Sequence, residues 1–461
     1  MLLGLFTALA LGGAPRGLAD ATLVTWAPKL SEVQTLLPFF TRAGEGSVML
    51  SPASWRESAH PLVPFDVTRP ESAAAVGIDV TQGLTLSTRG PVSVACHGLS
   101  DVKTFEATCR ARLDRYGPVS RDERAGVTTL LSRDGLGRVQ GAVVLKGREA
   151  CAVHASGQSV ERLLPEVTKA LTGKPLTNAW VKAASALPAA QYFMVPDGER
   201  SFPGWATAAL SAHGSALSVD LKSKGLPFAS LEGAGPSPFG ALTTRGVLVL
   251  RLRLSKRELS ANLDRFLALA PGSAALRAVS ARVSPALTGN VALVFSRVKV
   301  TSGLRTPTAR FFAARFTALA ETTDATAARE AVEALDAKAL SFREGTLGLG
   351  VRENVLWLSN DAESRDEVLG ALAGAAGAQR HGAELDVEPL ALARALASVP
   401  LLEVVQAPEL SPVLVVATEL GPLLGLTREV RGWLDGGPSG QRGQLTWALA
   451  PPPAGAPDAG R

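Results

Sequence analysis

The chain has 461 residues, 46% of them apolar, with 47 Lys and Arg against 42 Asp and Glu and a net charge of +5. That apolar share supports a buried core and excludes a disordered chain, and the length fits two or three domains or one large duplicated one. The basic residues are scattered, so the charge offers little to nucleic acid or to a membrane surface.

In chain order, Leu2–Leu11 is an apolar run too short to span a bilayer, and Ala19-Asp20-Ala21 is an A-x-A cleavage signal. Residues 1–21 therefore read as a secretory signal peptide cut between Ala21 and Thr22, although no Lys or Arg precedes the apolar run. No Cys follows that run to carry a lipid anchor. Thr22–Trp26 is a short strand, Ser31 caps a helix carrying Val33, Leu36, Leu37 and Phe40, and Val48–Leu50 is a second strand.

The most legible stretch runs from Pro91 to Gly173. Val92, Val94 and Cys96 alternate with Ser93, Ala95 and His97, the period of a half-buried strand. Ser100 offers an N-cap oxygen to a helix whose apolar face carries Val102, Phe105, Cys109, Leu113 and Tyr116. Strands over Val127–Leu131, Val139–Leu145 and Cys151–Ala155 follow, with turns at Asp134-Gly135 and Lys146-Gly147. Val160, Leu163, Leu164, Val167 and Leu171 then mark a helix, for which Pro165 predicts a start at Leu164.

A looser copy of this grammar spans residues 290–374. Val291, Leu293 and Phe295 alternate like Val92, Val94 and Cys96, Asp324 opens a helix, and strands over Ala339–Arg343, Thr346–Val351 and Val355–Ser359 precede a second helix. Between the copies, Gln191–Val195 restarts the pattern of Thr22–Trp26, and Phe202–His213 parallels the Ser31 helix. Ser255 and Glu258 form a capping box for a helix with Leu259, Leu263, Phe266 and Leu267 on one side. Beyond the copies, Asp386 caps a helix, Val413–Thr418 is a strand, and Glu429–Leu434 with Gly443–Leu449 forms a hairpin. Val413–Leu426 is apolar, but Glu419 and Pro422 interrupt it, so no later segment reads as transmembrane.

The expected class is α+β: duplicated strand-helix-strands-helix units forming mostly antiparallel sheets covered by helices, closed by a C-terminal β-hairpin. The expected divisions are 1–21 leader, 22–185 first half, 186–400 second half, 401–450 closing strand and hairpin, and 451–461 disordered tail.

Three cysteines in an exported chain imply one disulfide and one free thiol. Cys109 lies roughly 12 Å along its helix. Cys151 lies roughly 13 Å from its strand's end. If that strand runs parallel to Pro91–His97 the two thiols are level, so Cys109–Cys151 is the expected bridge and Cys96 the buried thiol. If the strand order is otherwise, Cys96–Cys151 is the alternative.

Other candidate chemistry is thin. Ser100-x-x-Lys103 has the spacing of a serine acyl-transfer motif, but its companion motifs are missing and capping explains Ser100. Cys96-His97, Cys109 and Cys151-x-x-His154 supply zinc-type ligands, yet the strand pleat sends Cys151 and His154 to opposite faces. His60, His97, His213 and His381 sit in turn contexts without a carboxylate at a telling spacing. Glu419 reads as edge-facing, and Arg251 with Arg253 as one solvated strand face. No catalytic, cofactor-binding or metal residue is nominated, and no cofactor.

The Val76-Gly77-Ile78-Asp79 step into a strand, the Gly289-Asn290-Val291 strand opening and the closing hairpin around Trp447 resemble those of uncharacterised exported bacterial proteins built from a duplicated α+β unit. The resemblance implies fold and export and carries no activity. The expectation is an exported, periplasmic or extracellular, non-catalytic protein that binds a partner protein or an apolar ligand, with no nucleic acid. The alternatives are a hydrolase built from Ser100, His97 and Asp101, and an envelope scaffold.

Overall fold

Alternating side chains decide the first half. On Val92–Gly98, Val92, Val94 and Cys96 enter one core and Ala95 another, because successive residues of a strand face opposite ways. The computed structural model describes residues 15–59, 63–66, 68–155, 160–195, 204–225, 231–242, 246–256, 259, 271–298, 306–398, 416–437 and 440–451. The chain divides into two units, Met1–Leu226 and Pro227–Arg461. The leader's apolar run, His60, the Phe266 helix beyond Leu259 and the tail after Pro451 lie outside the described residues.

Among the described residues, unit 1 has strands β1 (Leu23–Ala27), β2 (Leu84–Arg89), β3 (Val92–Gly98), β4 (Val119–Arg124), β5 (Val127–Arg133), β6 (Val139–Lys146), β7 (Glu149–Ala155), β8 (Gln191–Val195), β9 (Trp205–His213) and β10 (Ala216–Lys224). Its helices are α1 (Leu37–Gly44), α2 (Pro52–Ala59), α3 (Pro70–Ala75), α4 (Val102–Leu113), α5 (Val160–Thr172) and α6 (Ala179–Ser185). The strands form one antiparallel sheet in the order β10-β9-β8-β1-β2-β3-β7-β6-β5-β4. Val160, Leu163, Val167 and Leu171 of α5 pack on one face with Trp180 of α6. Phe105, Cys109 and Leu113 of α4 pack on the other, with Leu30, Phe65 and Ile78. Gly77, at φ +84, lies where a Cβ would meet the Asp101 carbonyl at 2.2 Å, so only glycine allows the chain before β2 to pass the start of α4.

Unit 2 has β11 (Leu248–Arg253), β12 (Leu287–Val298), β13 (Ala314–Thr322), β14 (Gly348–Arg352), β15 (Val355–Ser359), β16 (Ala383–Val387), β17 (Thr427–Gly437) and β18 (Gly440–Leu449). Its helices are α7 (Ser273–Val283), α8 (Pro307–Ala313), α9 (Ala325–Glu333), α10 (Ala362–Ala371), α11 (Pro389–Ala397) and α12 (Gly421–Gly425). The strand order is β18-β17-β16-β11-β12-β13-β15-β14, again antiparallel throughout. Each strand of this sheet holds the same place in its order as a strand of unit 1, β1 with β11 through β10 with β18; β4 and β5 are extra in unit 1. Helices follow suit: α4 and α9 come after β3 and β13, and α5 and α10 after β7 and β15.

Several expectations change. The division falls at 226 rather than 185, because β8 pairs with β1 and carries β9 and β10 with it. Phe202–His213, expected as a helix, contains β9: its alternation rests on Thr207 and Ala209 against Ala206 and Ala208, too little contrast to reveal the period. Val291, Leu293 and Phe295 lie on β12, whose counterpart is β2; β13 matches β3. Pro165 sits inside α5, which starts at Val160. Asp101, not Ser100, caps α4, accepting from the Lys103 and Thr104 N–H groups. Asp386 lies in β16, and residues 416–420 of the expected Val413–Thr418 strand form a π-helical turn holding the half-buried Glu419. Val48–Leu50 is a turn, with Val48 and Met49 exposed.

Candidate functional site: an apolar cavity in unit 2

Two cross-strand rows build the floor of a cavity in unit 2. Leu250 lies opposite Leu293, Leu293 opposite Ala318, and Ala318 opposite Leu358. The next row runs Leu252, Val291, Ala320, Leu356. Both rows face one side of the sheet, and both drop from Leu or Val to Ala on β13. Above that dip, α7 presents Leu276, Val279, Ser280 and Val283, the i, i+3, i+4, i+7 stripe of an amphipathic helix. The recess holds about 220 Å³, and Ser280 is the one polar residue among the described lining residues. Apolar cavities of about 150 Å³ stay dry and take up molecules such as benzene. This one is larger and carries no charge, so it suits an uncharged apolar molecule.

The matching place in unit 1 is filled. There the counterpart rows are Thr25, Leu86, Ala95, Ala152 and Ala27, Leu84, His97, Ala150. Phe105 of α4, fully buried, drops onto this dip, its ring edge-on to His97 at 5.0 Å. Ile78, Leu99 and Leu30 complete the layer. No buried residue of α9 is comparably large: its buried side chains are Ala328 and Ala331.

The residues singled out from the sequence are not brought together as a catalytic set. His97 is buried and neither ring nitrogen has a hydrogen-bond partner. Burial pushes its pKa down to about 4, offset in part by the Gly98 backbone. Ser100 Oγ donates to the Ile78 carbonyl at 3.3 Å, and Asp101 is committed to the cap of α4. His213 is exposed at the end of β9. Among the described residues no group of three or more His, Cys, Asp or Glu has the geometry of a metal site.

The disulfide joins Cys96 to Cys151, and Cys109 is the buried free thiol, which corrects the expected Cys109–Cys151 pairing. The reason is strand direction: β7 runs antiparallel to β3, so Cys96 and Cys151 lie directly opposite, with Cα atoms 4.1 Å apart. They share the α5 face, while Cys109 belongs to the α4 face on the other side of the sheet. Burial pushes the Cys109 thiol up to about 12, so it stays protonated and unreactive.

Arg251 and Arg253 do share a strand face, but it is not solvated. Arg251 is 7% exposed; its Nη1 donates to the Leu242 carbonyl at 3.0 Å, and its Nη2 meets Asp386 and, at 3.2 Å, Glu384. His381, expected without a carboxylate, has one: its Nδ1 lies 3.0 Å from Asp435 Oδ2, and its ring stacks on Trp433 at 4.1 Å. The two are 54 residues apart, a distance that no local spacing reveals.

At the expected leader junction, Ala21 is buried and the Thr22 N–H donates to the Thr88 carbonyl. The residues just before it are also engaged. Leu18 is buried, and Arg16 pairs with Glu149 and donates to the carbonyls of Leu171 and Gly173. No described helix is long and apolar enough to cross a membrane.

No family model and no curated protein matches this sequence. Among solved structures, "Structure of crystal form I of TP0453" is similar over 79% of this chain and 97% of that chain, with 9% identity and a TM-score of 0.22. A likeness at that score transfers neither fold nor function.

Proposed function

We propose that this is an exported, non-catalytic binding protein, and that its ligand is an uncharged apolar molecule held in unit 2 between α7 and the β11-β12-β13-β15 floor. The observation that carries the reading is the Ala318–Ala320 dip roofed by α7. A rigid sheet sets its depth, and nothing in its described lining would hold a charge. The matching strand orders support a duplicated unit. In this reading one copy keeps its core closed with Phe105 and the other keeps the same place open for cargo.

Export rests on the leader pattern and fits a disulfide, which persists in oxidising compartments. The contacts of Arg16 and Leu18 favour a mature start ahead of Pro15 over one at Thr22. N-terminal sequencing of the exported protein measures this: Arg16 retained is the expected result, and Thr22 as first residue opposes it.

The binding test uses an uncharged naphthyl amine as fluorescent probe. Its emission should rise and shift to the blue with the native protein. Ala320→Phe fills the dip and should abolish the response while leaving the fold, followed by circular dichroism, intact. Straight-chain alcohols should displace the probe more tightly with each added methylene until the cavity is full. An equal response from native and Ala320→Phe proteins would reject the site.

A further inference from the structure

The one polar member of the unit 2 cavity lining is unusual for a helical hydroxyl. Ser280 lies inside α7, on the stripe that faces the sheet, between Leu276 and Val283. A Ser or Thr within a helix commonly donates to the carbonyl four residues back. Thr108 of α4 does so to Thr104 at 2.9 Å, and Ser185 of α6 to Val181 at 3.0 Å. Ser280 Oγ makes no such bond to Leu276 and has no hydrogen-bond partner among the described residues. The residue is only 8% exposed, yet its oxygen is not sealed in protein: it is open to the cavity that it lines.

The helix that carries this hydroxyl is held on its neighbours. Leu276 packs with Phe312 and Leu340, while Val279 and Val283 pack with Ala328 and Ala331 of α9. A cargo that fills the cavity displaces water from Ser280. A pure hydrocarbon would leave the hydroxyl without a partner in apolar surroundings, which is costly, whereas a neutral oxygen on the cargo restores the bond. A charged head group would find no counter-charge among the described lining residues. Apolar pockets use a few placed polar groups in this way to orient their ligands.

We propose, resting on the cavity reading above, that Ser280 is its specificity-determining contact: the cargo is an apolar molecule with one neutral oxygen, as in an alcohol, and that oxygen is seated on the Ser280 hydroxyl. This narrows the ligand class from hydrocarbons in general to singly oxygenated ones.

Displacement of the naphthyl amine probe from the full chain by benzyl alcohol and by ethylbenzene tests this. The two have the same number of heavy atoms and neither is charged. Ser280→Ala, a change that α7 tolerates because Ala favours a helix, should weaken benzyl alcohol roughly 3- to 10-fold, the loss of one neutral hydrogen bond. It should leave ethylbenzene unchanged or slightly tighter, which a merely structural role for Ser280 would not do. An unchanged benzyl alcohol affinity in Ser280→Ala, or an equal loss for both compounds, overturns the Ser280 contact while leaving the cavity standing. Failure of both compounds to displace the probe from native protein overturns the cavity and the contact together.

Discussion

Reduction of the Cys96–Cys151 bridge is expected to destabilise unit 1 by about 4 kcal/mol, the loop-closure value for a 55-residue separation. The loop so closed contains α4 and the β4, β5 and β6 strands, so the bridge ties the α4 layer and one edge of the sheet to its middle. Urea unfolding with and without reductant measures the effect. The same experiment on Cys109→Ala distinguishes the pairings. With Cys96–Cys151 joined, Cys109→Ala keeps its full sensitivity to reductant. Were Cys109 joined to Cys151, the variant would lose it. Alkylation gives a second readout: in native protein the Cys109 thiol, held up near 12 by burial, should resist modification until urea opens the α4 core.

Acid should weaken unit 1 well above the carboxylate range, by about 3 kcal/mol between pH 6.5 and 4, because of His97. The unfolded chain takes up a proton at this imidazole from about pH 6.5 downward. The folded chain resists until about 4, since burial disfavours the charged ring. Over that window the unfolded state therefore binds more protons, and stability falls as pH falls. Below about 4 both states are charged and the His97 contribution levels off; above 6.5 both are neutral and it vanishes. Asp79, whose pKa the Thr81 hydroxyl holds below the ordinary value, loses its stabilisation only at lower pH and does not blur the window. Urea midpoints at pH 7.5 and 4.5 measure the slope. His97→Leu, which keeps an apolar group beside Phe105, should remove most of the drop while retaining stability at pH 7.5. An unchanged drop would assign the acid sensitivity elsewhere.

How much of this was legible in the chain depends on contrast between neighbouring residues. β3 and β7 alternate Val or Cys against smaller or polar residues, β6 is an apolar run between turns, and α5 carries a clean Val160–Leu171 stripe, so all are evident by eye. β9 and β13 are rich in alanine and threonine, which fit strand and helix patterns alike, so neither shows its strand period in the sequence. That blind spot hid the cavity, because Ala318 and Ala320 are what make it. The A-L-A triplet at 318–320, between strands supplying Leu or Val at each matching position, is the signal that could have found it. The disulfide turned on the direction of one strand. Cys96 and Cys151 have no local mark of being neighbours, and an antiparallel β7 reverses which thiol is in reach. The buried Arg251 cluster and the His381–Asp435 contact depend likewise on which strands lie side by side.

The measurement that bears most directly on the binding account is native mass spectrometry of the protein gently purified from its own source, followed by solvent extraction. The account predicts one stoichiometric adduct per chain, released by organic solvent, uncharged, and lost in Ala320→Phe. A bare mass for the native protein, or an adduct that persists when the cavity is filled, would contradict it.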